Sequence, residues 1–156
     1  MKFWKQCTAG VLCLALAIGM GAALSGCSQS SSDTAAARMQ VDINPSVEFI
    51  LDSENKVLSV TALNDDGALI VAGEAFIGKT AEDAVALMVN VSTETGYLLK
   101  GDATADGETI TISITGDADA AQALYESIYT DIQGILDESG INAAIERGEA
   151  LRLEAL

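Results

Sequence analysis

The stretch Thr109-Ile110-Thr111-Ile112-Ser113-Ile114-Thr115 sets an isoleucine at every second position with a hydroxyl residue between. Successive side chains of a strand point to opposite faces, so this segment requires a sheet with one apolar and one polar surface. Such a sheet is stable only if another layer covers its apolar face.

Further strands follow from the same period of two. Val41-Asp42-Ile43-Asn44 alternates, and Val47, Phe49 and Leu51 point one way with Glu48 and Asp52 opposite. After the turn Ser53-Glu54-Asn55-Lys56, Leu58, Val60 and Ala62 repeat the pattern. Asn64-Asp65-Asp66-Gly67 reads as a turn cluster, and residues 68–77 show no decisive period.

The covering layer is legible as helices. Thr80 followed by Asp83 forms an N-cap, after which Ala81, Ala84, Val85, Met88 and Val91 share one face up to Gly96. Over residues 118–138, Ala121, Leu124, Tyr125, Ile128, Ile132, Ile135 and Leu136 trace a second amphipathic helix, weakened near its end by Gly134. Gly140 can stop it, and residues 141–153 read as a third, shorter helix. The expected fold is α+β, a mainly antiparallel sheet of about four strands packed by two or three amphipathic helices.

The N-terminus follows a different logic. Lys2 and Lys5 precede an apolar run over residues 7–24, and small residues lead into Cys27. This is the pattern of a secretion signal. Leu24-Ser25-Gly26-Cys27 resembles the bacterial lipobox, which implies acylation of the Cys27 thiol and cleavage just before it. Two acyl chains hold a protein to a membrane far more firmly than one, at about 0.8 kcal/mol per buried CH₂. The expected organisation is a signal peptide at 1–26, lipidated Cys27 with a flexible tether at 27–38, and one domain at 39–156. The expected location is the extracytoplasmic face of a cell membrane.

Composition then removes several functions. The chain has no histidine, which excludes Ser-His-Asp and Cys-His pairs and the common zinc sites. Cys7 and Cys13 lie in the export segment, so Cys27 is the only cysteine of the mature form and no intrachain disulfide is expected. The net charge of -15 argues against nucleic acid, which is bound through Lys and Arg. No cofactor is expected. Asp102-Ala103-Thr104-Ala105-Asp106-Gly107 spaces its oxygen ligands like a calcium loop, but the twelfth position is Ser113 rather than Glu, so it reads as a polar connector.

Asn44-Pro45 carries two readings. As a dipeptide it marks a turn between strands. Its chemical reading is self-cleavage. Proline lacks the N-H that normally attacks an asparagine side chain, which leaves the reverse attack, by the Asn44 side-chain nitrogen on its own carbonyl carbon. Asp42, Ser46 or Glu48 could then handle protons or polarise that carbonyl.

Val41-Asp42-Ile43-Asn44-Pro45-Ser46-Val47-Glu48-Phe49, Asn55-Lys56-Val57-Leu58-Ser59-Val60 and Asn64-Asp65-Asp66-Gly67 together resemble the extracytoplasmic middle domain of RsgI-like anti-sigma factors. The resemblance runs on through Lys79-Thr80-Ala81-Glu82-Asp83-Ala84 and Gly96-Tyr97-Leu98 to Thr115, about half of the chain, residues 39–115. It implies cleavage between Asn44 and Pro45, with both pieces remaining in one sheet until a signal or a protease parts them. A lipid anchor stands where the resemblance implies a transmembrane helix, and no sigma-binding domain is expected ahead of the export segment. The chain is thus expected to act in signalling or at the envelope without being an anti-sigma factor itself. The alternative is a non-cleaving module that binds a cell-wall component or a partner protein. An enzyme with an external substrate is not expected, because no set of nucleophile, base and oxyanion donor can be assembled.

Overall fold

A computed structural model describes residues 34–101 and 108–149 of the chain. The expected signal sequence, Cys27 and residues 102–107, read above as a polar connector, lie outside the described residues. Five strands form one sheet in the order β3-β2-β1-β4-β5, comprising β1 (Ala37–Asp42), β2 (Ser46–Leu51), β3 (Val57–Ala62), β4 (Glu108–Thr115) and β5 (Ala143–Arg147). Three helices, α1 (Asp65–Gly73), α2 (Ala81–Glu94) and α3 (Ala118–Ser139), complete it.

The register follows from the alternation. Met39 and Val41 of β1 sit opposite Phe49 and Val47 of β2 and opposite Ile114 and Ile112 of β4. All of them are buried, and with Ile110, Leu51 and Val57 they form the apolar face of the sheet. A shift of one residue in any strand would turn that set to solvent. Against this face pack Ala84, Val85 and Met88 of α2 and Leu124, Ile128 and Ile132 of α3. The opposite face carries Arg38 and Glu48, joined by an ion pair at 3.5 Å. Because β1 lies between β2 and β4, it is hydrogen-bonded along both edges.

The helix ends at Thr80 and Gly140 match the sequence expectations, and Asp117 adds a cap the sequence reading did not name. Thr80 caps α2 through the Asp83 N-H, Asp117 caps α3 through the Ala120 N-H, and Gly140 closes α3 in the left-handed conformation at φ 67°.

Two elements differ from expectation. The 64–67 cluster is not a free turn but the start of α1, with Asn64 as the N-cap and Asp65 and Asp66 in the first turn, where acidic side chains favour the helix dipole. Gly67 stands inside this helix because of a close approach, since a Cβ there would come within 2.2 Å of the Ser46 carbonyl oxygen. Part of the expected third helix is instead β5, which pairs in parallel with β4 from Glu108 and Ala143 onward. Ala143-Ala144-Ile145-Glu146-Arg147 favours helix on propensity, but the free edge of β4 offers a ladder of hydrogen bonds. Arg147 then secures the strand to α3, lying 5.3 Å from the Tyr125 ring centroid and donating to Gln122 Oε1. The sheet therefore has five strands rather than about four, and β1 begins at Ala37, two residues ahead of the expected domain start.

Two glycines should respond oppositely to alanine. Gly67→Ala forces α1 away from β2 and should cost about 1–3 kcal/mol. Gly134→Ala, exposed in α3 with nothing within 4 Å of the added carbon, should gain about 0.5–1 kcal/mol. Urea unfolding of the two variants beside the parent chain measures both.

Candidate functional site

The β1-β2 hairpin turns through Ile43, Asn44 and Pro45, since Asp42 and Ser46 are the last paired residues. Ile43 and Pro45 are buried and Asn44 is exposed, so the two flanking side chains anchor the tip in the core while Asn44 projects. The Ile43 N-H donates to the Pro45 carbonyl at 2.9 Å. Proline has no N-H with which to return the bond, so the tip is closed from one side only.

Asn44 has φ 57°. Asparagine enters this left-handed region more readily than other residues with a Cβ, but a residue before proline is normally driven to extended conformations. The combination stores of order 1–3 kcal/mol in the Asn44 backbone. The Asn44 N-H donates to Asp42 Oδ1 at 3.2 Å, which helps to hold the tip in this shape.

The other support comes from far along the chain. Asn64 Oδ1 accepts the Gly67 N-H at 2.7 Å, the N-cap bond of α1, and also the Ser46 N-H at 3.1 Å. Two amide donors on one atom identify it as oxygen, so the other end of this side chain is the nitrogen. That nitrogen donates to Asn44 Oδ1 at 3.3 Å. The Ser46 carbonyl in turn accepts the Leu63 N-H at 2.9 Å. One asparagine thus ties the hairpin tip, the start of β2 and the N-terminus of α1 together. The Tyr97 hydroxyl donates to Asp66 Oδ1 at 2.6 Å and fixes the first turn of α1 to the segment after α2.

Of the neighbours expected to assist, Asp42 is in contact with the Asn44 backbone and Ser46 shares the Asn64 bond. Glu48 is not brought in, because it lies two residues down the ladder, opposite Gln40, and pairs with Arg38. Asn64 was legible only as part of a turn. Its signal was an N-capping residue followed by two acidic residues, which marks a helix start. Among the described residues no group of three His, Cys, Asp or Glu side chains is placed to hold a metal ion. The 102–107 loop, read above as a connector with calcium-like spacing, lies outside them. No helix among the described residues is long and apolar enough to cross a membrane.

Comparison with known proteins gives the family. The model of the anti-sigma factor RsgI-like central domain matches residues 36–154, most of the chain. The chain belongs to the RsgI-like central-domain family. Anti-sigma-I factor RsgI of Bacillus subtilis is 49% identical over 41 residues, covering 26% of this chain and 11% of that protein. Anti-sigma-I factor RsgI9 of Acetivibrio thermocellus is 33% identical over 69 residues, 44% of this chain and 10% of its own. RsgI7 of the same organism is 25% identical over 122 residues, 73% of this chain and 22% of its own. The chain therefore spans about a tenth to a fifth of the length of these relatives, all named anti-sigma-I factors.

The Tyr97 phenol is raised above its ordinary value near 10, first by its hydrogen bond to Asp66, then by desolvation and by the Asp66 charge. A raised phenol favours the fold while protonated, so its contribution is complete below the ordinary value and is lost as pH climbs through the raised one. Tyr97→Phe should accordingly destabilise the domain at neutral pH, and the difference from the parent should close in strongly alkaline buffer. Urea unfolding of both chains across that range is the check.

Proposed function

We propose that this chain is a lipid-anchored protein of the extracytoplasmic membrane face, whose RsgI-like domain cleaves itself once between Asn44 and Pro45 in a signalling or envelope role. The observation that carries this reading is Asn44 itself, held at positive φ directly before a proline with its side-chain amide tied down. Backbone strain at the residue that is cut and a fixed nucleophile both shorten the path to the transition state.

In the proposed step Asn44 Nδ2 bonds to the Asn44 carbonyl carbon and the bond from that carbon to the Pro45 nitrogen breaks. The proton lost from Nδ2 ends on the Pro45 nitrogen, which becomes a secondary-amine N-terminus. Asn44 becomes a C-terminal succinimide that water later opens. Asp42, already bonded to the Asn44 N-H, serves as the proton carrier.

The cut would leave the lipid-bearing piece, residues 27–44, in the domain through β1 alone. Met39 and Val41 are fully buried and Ile43 nearly so, each contributing about 1.5–3 kcal/mol to retention. The two halves would stay together until β1 is drawn out, at which point everything from Pro45 onward leaves the membrane. Release of a folded fragment is then the output, and a protein or cell-wall partner that grips the domain supplies the input.

Intact mass spectrometry in denaturant, on the chain from residue 35 onward, should show two masses that sum to the chain, plus one water once the succinimide has opened, with Asn44→Ala giving a single mass. One uncut mass for both would end the self-cleavage reading and favour a binding module. A separate test concerns the anchor. The parent should incorporate labelled palmitate and sediment with membranes, and Cys27→Ser should do neither. A parent chain that takes up no label removes the lipid anchor.

A further inference from the structure

We propose that Asn64 is the positioning residue for cleavage at Asn44-Pro45, and that through it the cut depends on docking of α1. This rests on the self-cleavage reading and goes beyond it. The sequence separates the two asparagines by 20 positions, and the fold brings Asn64 Nδ2 to 3.3 Å from Asn44 Oδ1. Holding Oδ1 fixes the plane of the Asn44 amide and leaves Nδ2, the attacking atom, on the other side of Cγ. As Nδ2 gives up its proton, negative charge moves to Oδ1, where an N-H donor stabilises it. A donor aimed at developing charge is the arrangement by which oxyanion holes accelerate acyl transfer.

Asn64 can do this only while α1 is in place. Its oxygen is occupied by the Gly67 and Ser46 N-H groups, which orients the nitrogen toward the tip. The absence of a side chain at Gly67 lets the helix reach the Ser46 carbonyl, and the bond between Tyr97 and Asp66 holds the first turn from the other side. An unfolded chain lacks these contacts, and a chain whose α1 has not docked lacks the bonds from Asn64 to Ser46 and Asn44. Cleavage is thereby confined to chains that have completed the β1-β2 hairpin, β3 and α1, so that the cut occurs in a domain able to retain both pieces.

The test uses substitutions that keep the cap and remove the donor. Asp and Ser both cap helices about as well as Asn, but an ionised carboxylate in place of the Asn64 amide offers no N-H, and a serine hydroxyl is too short to reach Asn44 in the same geometry. The full chain is made by cell-free synthesis as the parent, Asn64→Asp and Asn64→Ser, and the cut fraction is followed over time by intact mass. Melting temperatures are measured on the same two substitutions in an Asn44→Ala background, where no chain is cut. Both variants should melt within a few degrees of their parent and cut about a hundredfold more slowly. Parental rates in both overturn the assignment. So does a slow Asn64→Asp beside a normal Asn64→Ser, because added charge rather than the lost donor would then be the cause. A parent chain that stays whole removes the self-cleavage reading itself, and the assignment with it.

Discussion

The burial of β1 between two antiparallel neighbours is the constraint on which the rest of the structure depends. β2 and β4 lie far apart in sequence and meet only through this strand. Its inward residues Met39 and Val41 connect the hairpin half of the domain to the half built from β4, α3 and β5. A central strand supplies its neighbours with hydrogen bonds along both edges as well as an apolar surface, so the sheet has no continuous path around it.

That placement gives the tip at Asn44 its significance. A hairpin tip is ordinarily the most permissive part of a β-protein, yet here the backbone conformation is unusual and the surrounding bonds are specific. Buried flanking residues, a side-chain bond to Asp42 and the cap of α1 all act on three residues of chain. Conformations of this cost persist only where neighbouring structure imposes them. The acidic first turn of α1 belongs to the same arrangement, since Asp65 and Asp66 stabilise the helix end whose N-cap reaches the tip.

The strands and the two long helices could be read from the sequence because their signals are local. Alternation marked β2, β3 and β4 but only the last two residues of β1, because Ile43 and Asn44 of the expected first strand form the hairpin tip, and the capping residues Thr80 and Gly140 marked the start of α2 and the end of α3. What escaped was decided by contacts between distant residues. Gly67 has the appearance of a turn residue until the Ser46 carbonyl is placed beside it. β5 has helix-favouring residues and becomes a strand only because an edge of β4 is available. The dipeptide Asn44-Pro45 was visible at once, as was its location between two strands, whereas its partner Asn64 was hidden in a stretch that looked like loop.

The direction of β1 within the sheet has a mechanical consequence. The chain enters the domain at the Ala37 end of this strand, and the hairpin tip lies at the other. Antiparallel hydrogen bonds run perpendicular to the strands, so tension applied at Ala37 acts across both ladders together and not on one bond after another. In a chain interrupted at the tip, β1 would resist such a pull as a bolt resists sliding, holding under brief loads and yielding to a sustained one. Peeling from the side is blocked by the strands on either flank. The two ladders thus make the hold on β1 depend on the direction in which a load is applied.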